Sequence, residues 1–207
     1  HHGWDIGAAG IAGALASHFG VPLFAGATTR LLIDLNRSLH HPRVFSRWTR
    51  GLSAEQRRTI VEAHYIPYRD AVERHVGALL DANRNVVHIS VHSFTPIWHG
   101  ERRRADIGLL YDPRRRRERQ LGAAWKSALA TVAPGLRVRR NYPYRGTSDG
   151  FSVALRRIFS SVRYACIELE INQARLSNPA AMRQLARPLT TAVEESVTAS
   201  SHRRHRS

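Results

Sequence analysis

The sequence has almost no cysteine and lysine, and it lacks a long apolar run. Cys166 is the single cysteine of the 207 residues, so an internal disulfide is excluded and a reducing cytoplasm is the expected location. The longest weakly polar run, residues 6–16, is too short to cross a bilayer, so no membrane segment is predicted. The first residues show neither a basic stretch nor a small-residue cleavage site, so no export signal is predicted.

Acidic residues are also scarce, which leaves a formal net charge of +16. A charge of this size ordinarily favours binding to nucleic acid or to an anionic surface. Lys126 is the only lysine, however, so the charge is almost entirely arginine, concentrated at 102–104, 114–119 and 202–206. We interpret these runs as solvated loops and a tail. A nucleic-acid-binding module therefore stays only as an alternative.

The pattern of apolar residues predicts alternating helices and strands. Helices are expected at 5–20, with Asp5 as N-cap and Gly20 as stop, at 53–80 behind a Ser53/Gln56 capping box, and at 120–132, 151–159 and 179–196. Strands are expected within 21–36 and at 85–93, 107–111, 136–140 and 164–171. This order predicts a single α/β domain over residues 1–199, with a mixed, mostly parallel central sheet and helices on both faces. Residues 200–207 are expected to be a basic disordered tail.

Polar residues follow or interrupt several of these strands. His92 ends the run 85–93, Asn36 and Arg37 follow "LLIDL", and Glu170 alternates with apolar residues in "CIELEI". Glutamate is costly to bury unless it is paired or used, although an edge strand with an exposed polar face would also explain the alternation. Taken together, an imidazole, a carboxylate and guanidinium groups favour metal-assisted hydrolysis.

Six motifs occur in the order seen in one enzyme family: "TRLLIDLNR" (29–37), "HYIPYRD" (64–70), "HSFTP" (92–96), "ADIGLLYD" (105–112), "NYPYRGTSDG" (141–150) and "ELEINQ" (168–173). In these motifs the chain resembles the N-formylglutamate amidohydrolase family over about residues 1–199. The resemblance implies a hydrolase-like fold similar to that of the zinc carboxypeptidases and aspartoacylases.

The resemblance also implies a set of site residues. One Zn²⁺ would be held by Asp5 and His92, with a third protein ligand upstream of this sequence; His1 or His2 as a substitute is left open, and Asp5 could serve as N-cap as well. Glu170 matches the general base that later acts as acid, and Arg30 matches the cation that stabilises the oxyanion.

Substrate recognition is implied in the same way. Asn36 and Arg37 match a pair that grips the substrate carboxylate, with Arg145 as a second contact. The alternative to the carboxylate-binding role is that Arg37 forms a structural salt bridge with Asp34. For Gly146, turn formation alone is a sufficient explanation.

The sequence therefore predicts a zinc-dependent hydrolase that cleaves the amide bond of an N-formyl or other N-acyl amino acid. Its expected partner is this small molecule rather than a membrane or nucleic acid. A non-catalytic relative with an incomplete metal site is the other alternative to an enzyme.

Overall fold

The computed structural model describes residues 3–202, with side chains described as far as Thr198. The chain divides into two compact units. The first unit comprises the described part of His1–Trp4 together with Phe24–Val86 and Ser148–Tyr164. The second unit comprises Asp5–Leu23, Val87–Thr147 and the described part of Ala165–Ser207. The expectation of one domain over residues 1–199 stays a prediction, and each unit is described by itself.

A four-stranded sheet forms the centre of the second unit. Its strand order is β1 (Val86–Phe94), β6 (Tyr164–Asn172), β4 (Ile107–Leu110) and β5 (Val138–Arg140). Strand β4 runs antiparallel to β6 and parallel to β5. The predicted strands at 85–93, 107–111 and 164–171 are confirmed within one or two residues, and β5 is shorter than the predicted 136–140.

Strands β1 and β6 run in the same direction. At the start of both strands, the backbone N–H of Val86 donates to the backbone carbonyl of Arg163 at 2.8 Å. Beyond their far ends, Gln173 Nε2 donates to Ser93 Oγ at 3.2 Å. Two of the three strand pairs are therefore parallel and one is antiparallel, which confirms the prediction of a mixed, mostly parallel sheet.

One face of this sheet is apolar and packs against helices. Helix α4 (Arg116–Val132) packs against α6 (Pro179–His202), and α1 (Ala8–Phe19) packs against α6. The strand residues on this face occupy alternate positions: Val87, Ile89, Val91, Ile107, Leu109, Ala165, Ile167, Leu169 and Ile171. Helices on the opposite face stay a prediction. Within residues 3–202, no helix is long and apolar enough to cross a membrane.

Helix α1 begins later than the sequence predicts. Its N-cap is Gly7, which has a left-handed backbone with φ 74° and offers no side-chain cap. The prediction that Asp5 caps the helix is therefore wrong, and the reason is that the Asp5 carboxylate bonds His92 instead. Gly20 ends the helix with φ 60°, which confirms the predicted stop.

The first unit contains a segment whose fold differs from the sequence prediction. Residues 21–52 form turns and irregular backbone with no strand, so the strands predicted within 21–36 are wrong. Local bonds replace a strand ladder here; the N–H of Asp34, for example, donates to the carbonyl of Val44 at 2.8 Å. The apolar residues Ile33 and Leu35 are buried in a small core with Val44 and Tyr65. Burial, rather than strand pairing, accounts for the apolar pattern.

The predicted long helix of the first unit is confirmed, with one irregularity. It begins with the Ser53/Gln56 capping box and continues through α2 (Ala54–Ile60), a π-helical turn (Val61–Tyr65) and α3 (Ile66–Asp81). Pro67 has no backbone N–H for an ordinary helical bond, and the wider turn before it accommodates this loss.

The chain ends also differ from the prediction. Helix α6 continues to His202, beyond the predicted end at residue 196 and into the expected tail. The rest of that tail, 203–207, lies outside the described residues.

The arginine run 114–119 is not simply solvated, because Arg115 is 11% exposed and Glu118 is fully buried.

Candidate functional site

The polar face of β6 lies inside the second unit. Glu168 is 9% exposed and Glu170 is 6% exposed, and β6 lies between β1 and β4. The alternative of an edge strand with an exposed polar face is therefore wrong, although the predicted alternation is correct. Because Val91 and its alternate neighbours in β1 belong to the apolar face, His92 points to the same side of the sheet as Glu170.

His92 forms a partly buried pair with Asp5. Its Nδ1 lies 2.7 Å from Asp5 Oδ2, and the two side chains are 15% and 17% exposed. Its Nε2 lies 3.0 Å from Ser90 Oγ. Burial lowers the pKa of His92, but the hydrogen bond to Asp5 and the charges of Asp5, Glu170 and Glu168 raise it to about 9. An imidazolium that donates to a carboxylate is therefore the favoured state at neutral pH.

The same two groups fit two positions of a divalent metal site. An imidazole nitrogen and a carboxylate oxygen are donors that Zn²⁺ accepts, and a catalytic zinc ordinarily has three protein ligands. Among residues 3–202, no three His, Cys, Asp or Glu side chains form a group that could hold a metal. His1 and His2 lie outside the described residues. The described chain thus supplies two of the three expected donors.

A loop crosses the sheet face next to Glu170. Gly108 of β4 pairs with Glu170, and a Cβ at Gly108 would overlap the carbonyl of Tyr142. Gly146 likewise lies so close to the backbone of Tyr111 that a side chain would overlap it. The prediction that turn formation alone explains Gly146 is therefore wrong, because the close approach of the two backbones requires a glycine here. Arg145, between these contacts, is exposed.

Asn141 holds this loop in place. Its Oδ1 accepts the backbone N–H of Tyr111 at 3.0 Å and that of Gly146 at 3.1 Å. One side-chain amide therefore joins both ends of the loop to the strand end. The sequence signal was the polar "NYPYRG" run, which predicted a turn but not its contact with β4.

Asn36 and Arg37 lie together in the first unit, on a turn rather than at a strand end. Asn36 Oδ1 accepts the N–H of Phe151 at 2.8 Å, at the beginning of α5 (Phe151–Ile158). Arg37 Nη1 donates to the carbonyl of Asp149 at 3.1 Å. The Asp149 carboxylate in turn accepts the N–H of Ser38 at 3.1 Å. Asp149, part of the motif 141–150, thus holds this turn through both its carbonyl and its carboxylate.

The alternative for Arg37, a salt bridge to Asp34, is present in a weak form. Arg37 Nε lies 3.8 Å from Asp34 Oδ2, and the Arg37 side chain is 36% exposed. The other oxygen of Asp34 accepts the N–H of Asn36 at 3.0 Å. The guanidinium is therefore oriented by the protein while part of it remains accessible to solvent.

Two residues of the motif 64–70 hold the backbone of Arg37. The Tyr65 hydroxyl donates to the Arg37 carbonyl at 2.7 Å, and Arg69 Nη1 donates to the same oxygen at 3.3 Å. The Arg69 guanidinium lies over the rings of Tyr65 and Phe151, at 4.8 and 4.1 Å from their centroids. Burial lowers the pKa of Arg69, partly offset by nearby Tyr65 and Asp149. Tyr65 and Arg69 share a helix face because they are four positions apart.

The predicted residues therefore form groups within each unit. Asp5, His92 and Glu170 belong to the second unit, whose loop carries Arg145. Asn36, Arg37 and Arg30 belong to the first unit. The backbone N–H of Arg30 donates to the backbone carbonyl of Gly3 at 2.7 Å.

A mixed β-sheet that carries buried glutamates on one face, next to a partly buried imidazole–carboxylate pair, is suited to moving protons at a protected site. The chain belongs to the N-formylglutamate amidohydrolase family, whose family model matches residues 1–176. This confirms the resemblance seen in the sequence, and the family points to an amidohydrolase enzyme.

A solved structure agrees with this assignment. The chain is similar to the crystal structure of gene product Atu2144 from Agrobacterium tumefaciens, with 25% identity and a TM-score of 0.81. The likeness covers 96% of this chain and 79% of that one. No curated protein matches the sequence at a significant level. The expected likeness to zinc carboxypeptidases stays a prediction.

Proposed function

We propose that this protein hydrolyses the amide bond of an N-formyl or other N-acyl amino acid, with one Zn²⁺ as cofactor. Family membership supports the reaction class. The observation that carries the proposal is the Asp5–His92 pair, whose atoms lie 2.7 Å apart and whose imidazole lies on the sheet face that also carries the buried Glu170. A potential metal donor, His92, and a potential proton carrier, Glu170, thus share one sheet face, and the second potential donor, Asp5, is bonded to His92.

His92 and Asp5 would hold the metal, and the third protein ligand would come from outside the described residues. That ligand is a residue upstream of this sequence or, alternatively, His1 or His2. When bound, Zn²⁺ would supply Lewis-acid polarisation of water and of the scissile carbonyl. The high pKa of His92 implies that metal binding must displace a proton from the imidazole.

Glu170 would move the proton in this reaction. Water adds to the carbonyl carbon as Glu170 takes one of its protons, and the carboxylic acid then returns that proton to the nitrogen of the leaving amine. The C–N bond breaks, which releases a carboxylic acid and a free amino acid. The position of Glu170 in the buried strand β6 supports this role, since a rigid strand holds the carboxylate in one orientation.

Arg30, Asn36, Arg37 and Arg145 would recognise the substrate. Arg37 offers a planar guanidinium suited to a carboxylate, and its contacts with Asp149 and Asp34 limit the freedom lost on binding. Arg145 would give a second contact to the carboxylate, and Arg30 would stabilise the negative charge on the tetrahedral oxygen.

The second candidate is a non-catalytic relative that binds N-acyl amino acids without hydrolysing them. One observation favours it: among residues 3–202, no three His, Cys, Asp or Glu side chains form a group that could hold a metal. Such a protein would keep the carboxylate-binding turn of the first unit.

Elemental analysis of the purified full-length protein, together with a hydrolysis screen of N-formyl and N-acetyl amino acids, separates these candidates. The enzyme should contain about one zinc per chain and release free amino acid, and chelation should abolish turnover. His92→Ala should lose the metal, whereas His40→Ala, at an exposed histidine, should retain it. Substrate binding without metal or turnover would favour the non-catalytic relative.

A further inference from the structure

An exposed aromatic cluster lies at the end of the polar sheet face in the second unit. Strands β2 (Ile97–Trp98) and β3 (Glu101–Arg102) form a hairpin whose turn residues have positive φ. Trp98 at its tip is 43% exposed, and so is Tyr144 of the loop that crosses the sheet. Large aromatic side chains that are exposed and held in place often mark a binding surface.

Arg103 joins these rings into one structure. Its guanidinium carbon lies 5.1 Å from the ring centroids of both Trp98 and Tyr144, and 5.7 Å from that of Phe94. Its Nη1 also donates to the Tyr144 hydroxyl at 3.1 Å. Among the residues that the structure describes, no acidic side chain forms an ion pair with Arg103. We call Trp98, Arg103 and Tyr144 the aromatic rim.

The aromatic rim is attached directly to the strands that carry His92 and Glu170. Phe94, under Arg103, is two residues beyond His92 and therefore on the same face of β1. The carbonyl of Arg103 accepts Asn172 Nδ2 at 3.3 Å, and Asn172 is two residues beyond Glu170 on β6. Tyr144 follows Tyr142, whose carbonyl lies against Gly108 beside Glu170. Three separate connections thus place the rim beside the candidate centre of this unit.

We propose that the aromatic rim binds the acyl group of the substrate and favours a planar, aromatic acyl group over formyl. This inference rests on the proposed function, because it concerns the side of the same site that receives the acyl group. A benzoyl ring can stack against the indole and phenol rings, and it can also contact the Arg103 guanidinium through its π face. A formyl group has no surface with which to make these contacts.

Paired ligands and matched variants test the proposal. In a Glu170→Gln background of the zinc-loaded full-length protein, where turnover is slow, dissociation constants for N-benzoyl-L-glutamate and N-formyl-L-glutamate are measured by calorimetry. Trp98→Ala should weaken the benzoyl compound about tenfold and the formyl compound less than about twofold. Trp98→Phe should restore most of the difference, and Tyr144→Ala should act in the same direction as Trp98→Ala.

Trp48→Ala is the matched control. Trp48 is also an exposed tryptophan with a guanidinium over its ring, that of Arg47 at 4.6 Å, and it belongs to the first unit. It should change neither constant. The proposal is overturned if Trp98→Ala affects both ligands equally or neither of them, or if the benzoyl compound does not bind. Hydrolysis by the parent protein is measured separately, so the absence of turnover would count against the proposed function and not against the rim.

Discussion

Two buried glutamates of the second unit differ in what surrounds their carboxylates. Glu118 of α4 accepts the backbone N–H groups of Asp112 at 2.9 Å and Cys166 at 3.1 Å, and it lies 3.3 Å from Arg115. If the register of β4 and β6 continued, Asp112 would lie opposite Cys166. The Glu118 carboxylate therefore accepts the two backbone N–H groups at the point where the strands separate, in place of bonds between the strands. Glu170, in the same ladder, shares its face with His92. Burial alone therefore does not distinguish a structural carboxylate from a candidate for chemistry.

The largest expected effect is on turnover, at Glu170. Glu170→Gln keeps the size of the side chain but removes its ability to carry a proton, so we expect turnover to fall by about 10² to 10⁴. Steady-state kinetics on the best substrate of the hydrolysis screen measures this, with zinc content determined on the same sample. The metal should stay bound, because His92 and Asp5 are unchanged.

Glu168→Gln is the control for this experiment, since Glu168 is two residues away on the same buried face. It should lower turnover much less. Activity of Glu170→Gln within a few-fold of the parent protein would remove Glu170 from the mechanism.

Glu118 should show the opposite behaviour, with a large effect on stability. Glu118→Ala leaves the largely buried Arg115 guanidinium and two backbone N–H groups without their carboxylate, so unfolding free energy should fall by about 3–5 kcal/mol. Denaturant unfolding measures the change, and Glu195→Ala, at an exposed glutamate of α6, should be nearly neutral. A stable Glu118→Ala protein with impaired turnover would reverse the roles assigned to the two glutamates.

Glu170, but not Glu118, could be singled out as a candidate from the sequence, because only Glu170 stands out from its neighbours in the chain. Alternation within β6 is visible in six consecutive residues, whereas Glu118 lies in an arginine-rich run that predicts a solvated surface. Its partner Cys166 is 48 residues away. The assignment of Asp5 as a helix cap failed similarly, because the partner of its carboxylate is 87 residues away.

The regular elements were predictable because each shows its own periodicity or cap. The Ser53/Gln56 capping box and the apolar strand β1 are examples that the structure confirms. The irregular segment around Asn36 was not predictable, because Ile33 and Leu35 look like strand residues while they are buried by turns. Only the resemblance of "TRLLIDLNR" to the family motif made this segment a candidate for substrate recognition.

Asp106 extends the comparison to pH, as another structural carboxylate. Burial raises its pKa, but hydrogen bonds from Arg175 and Arg137 outweigh this and lower it to about 2. Because the folded-state pKa is below the unfolded one, its contribution of about 2 kcal/mol is present above about pH 4 and is lost as pH falls towards 2. Urea unfolding of Asp106→Asn and the parent protein should differ by this amount at pH 7 and converge near pH 2. A constant difference across this range would contradict the assignment.

The first unit contains two guanidiniums that differ in the same way: Arg69 is held by the protein, whereas the Arg37 side chain is 36% exposed. Arg37→Lys keeps the charge but loses the planar fork, so KM for substrates with a free carboxylate should rise about tenfold. Substrates in which that carboxylate is replaced by an amide should be affected much less. Kinetics on the two substrate series measures the difference. Equal losses on both series would favour the structural salt bridge from Arg37 to Asp34.

The smallest effect should come from Tyr65, which acts on Arg37 only through its backbone. Tyr65→Phe removes the hydroxyl that donates to the Arg37 carbonyl at 2.7 Å, while Arg69 Nη1 still donates to that oxygen at 3.3 Å. We therefore expect a stability loss of about 1 kcal/mol and a rise in KM of about two- to threefold, with kcat unchanged.

Tyr68→Phe is the matched control for Tyr65→Phe. Tyr68 is one helix turn away in the same motif, and its hydroxyl makes no hydrogen bond to any of the residues that the structure describes. A change in KM for Tyr65→Phe alone would assign Tyr65 a positioning role, because loss of general stability would not raise KM selectively for carboxylate substrates. Identical behaviour of the two variants would mean that the hydrogen bond to Arg37 does not position its guanidinium.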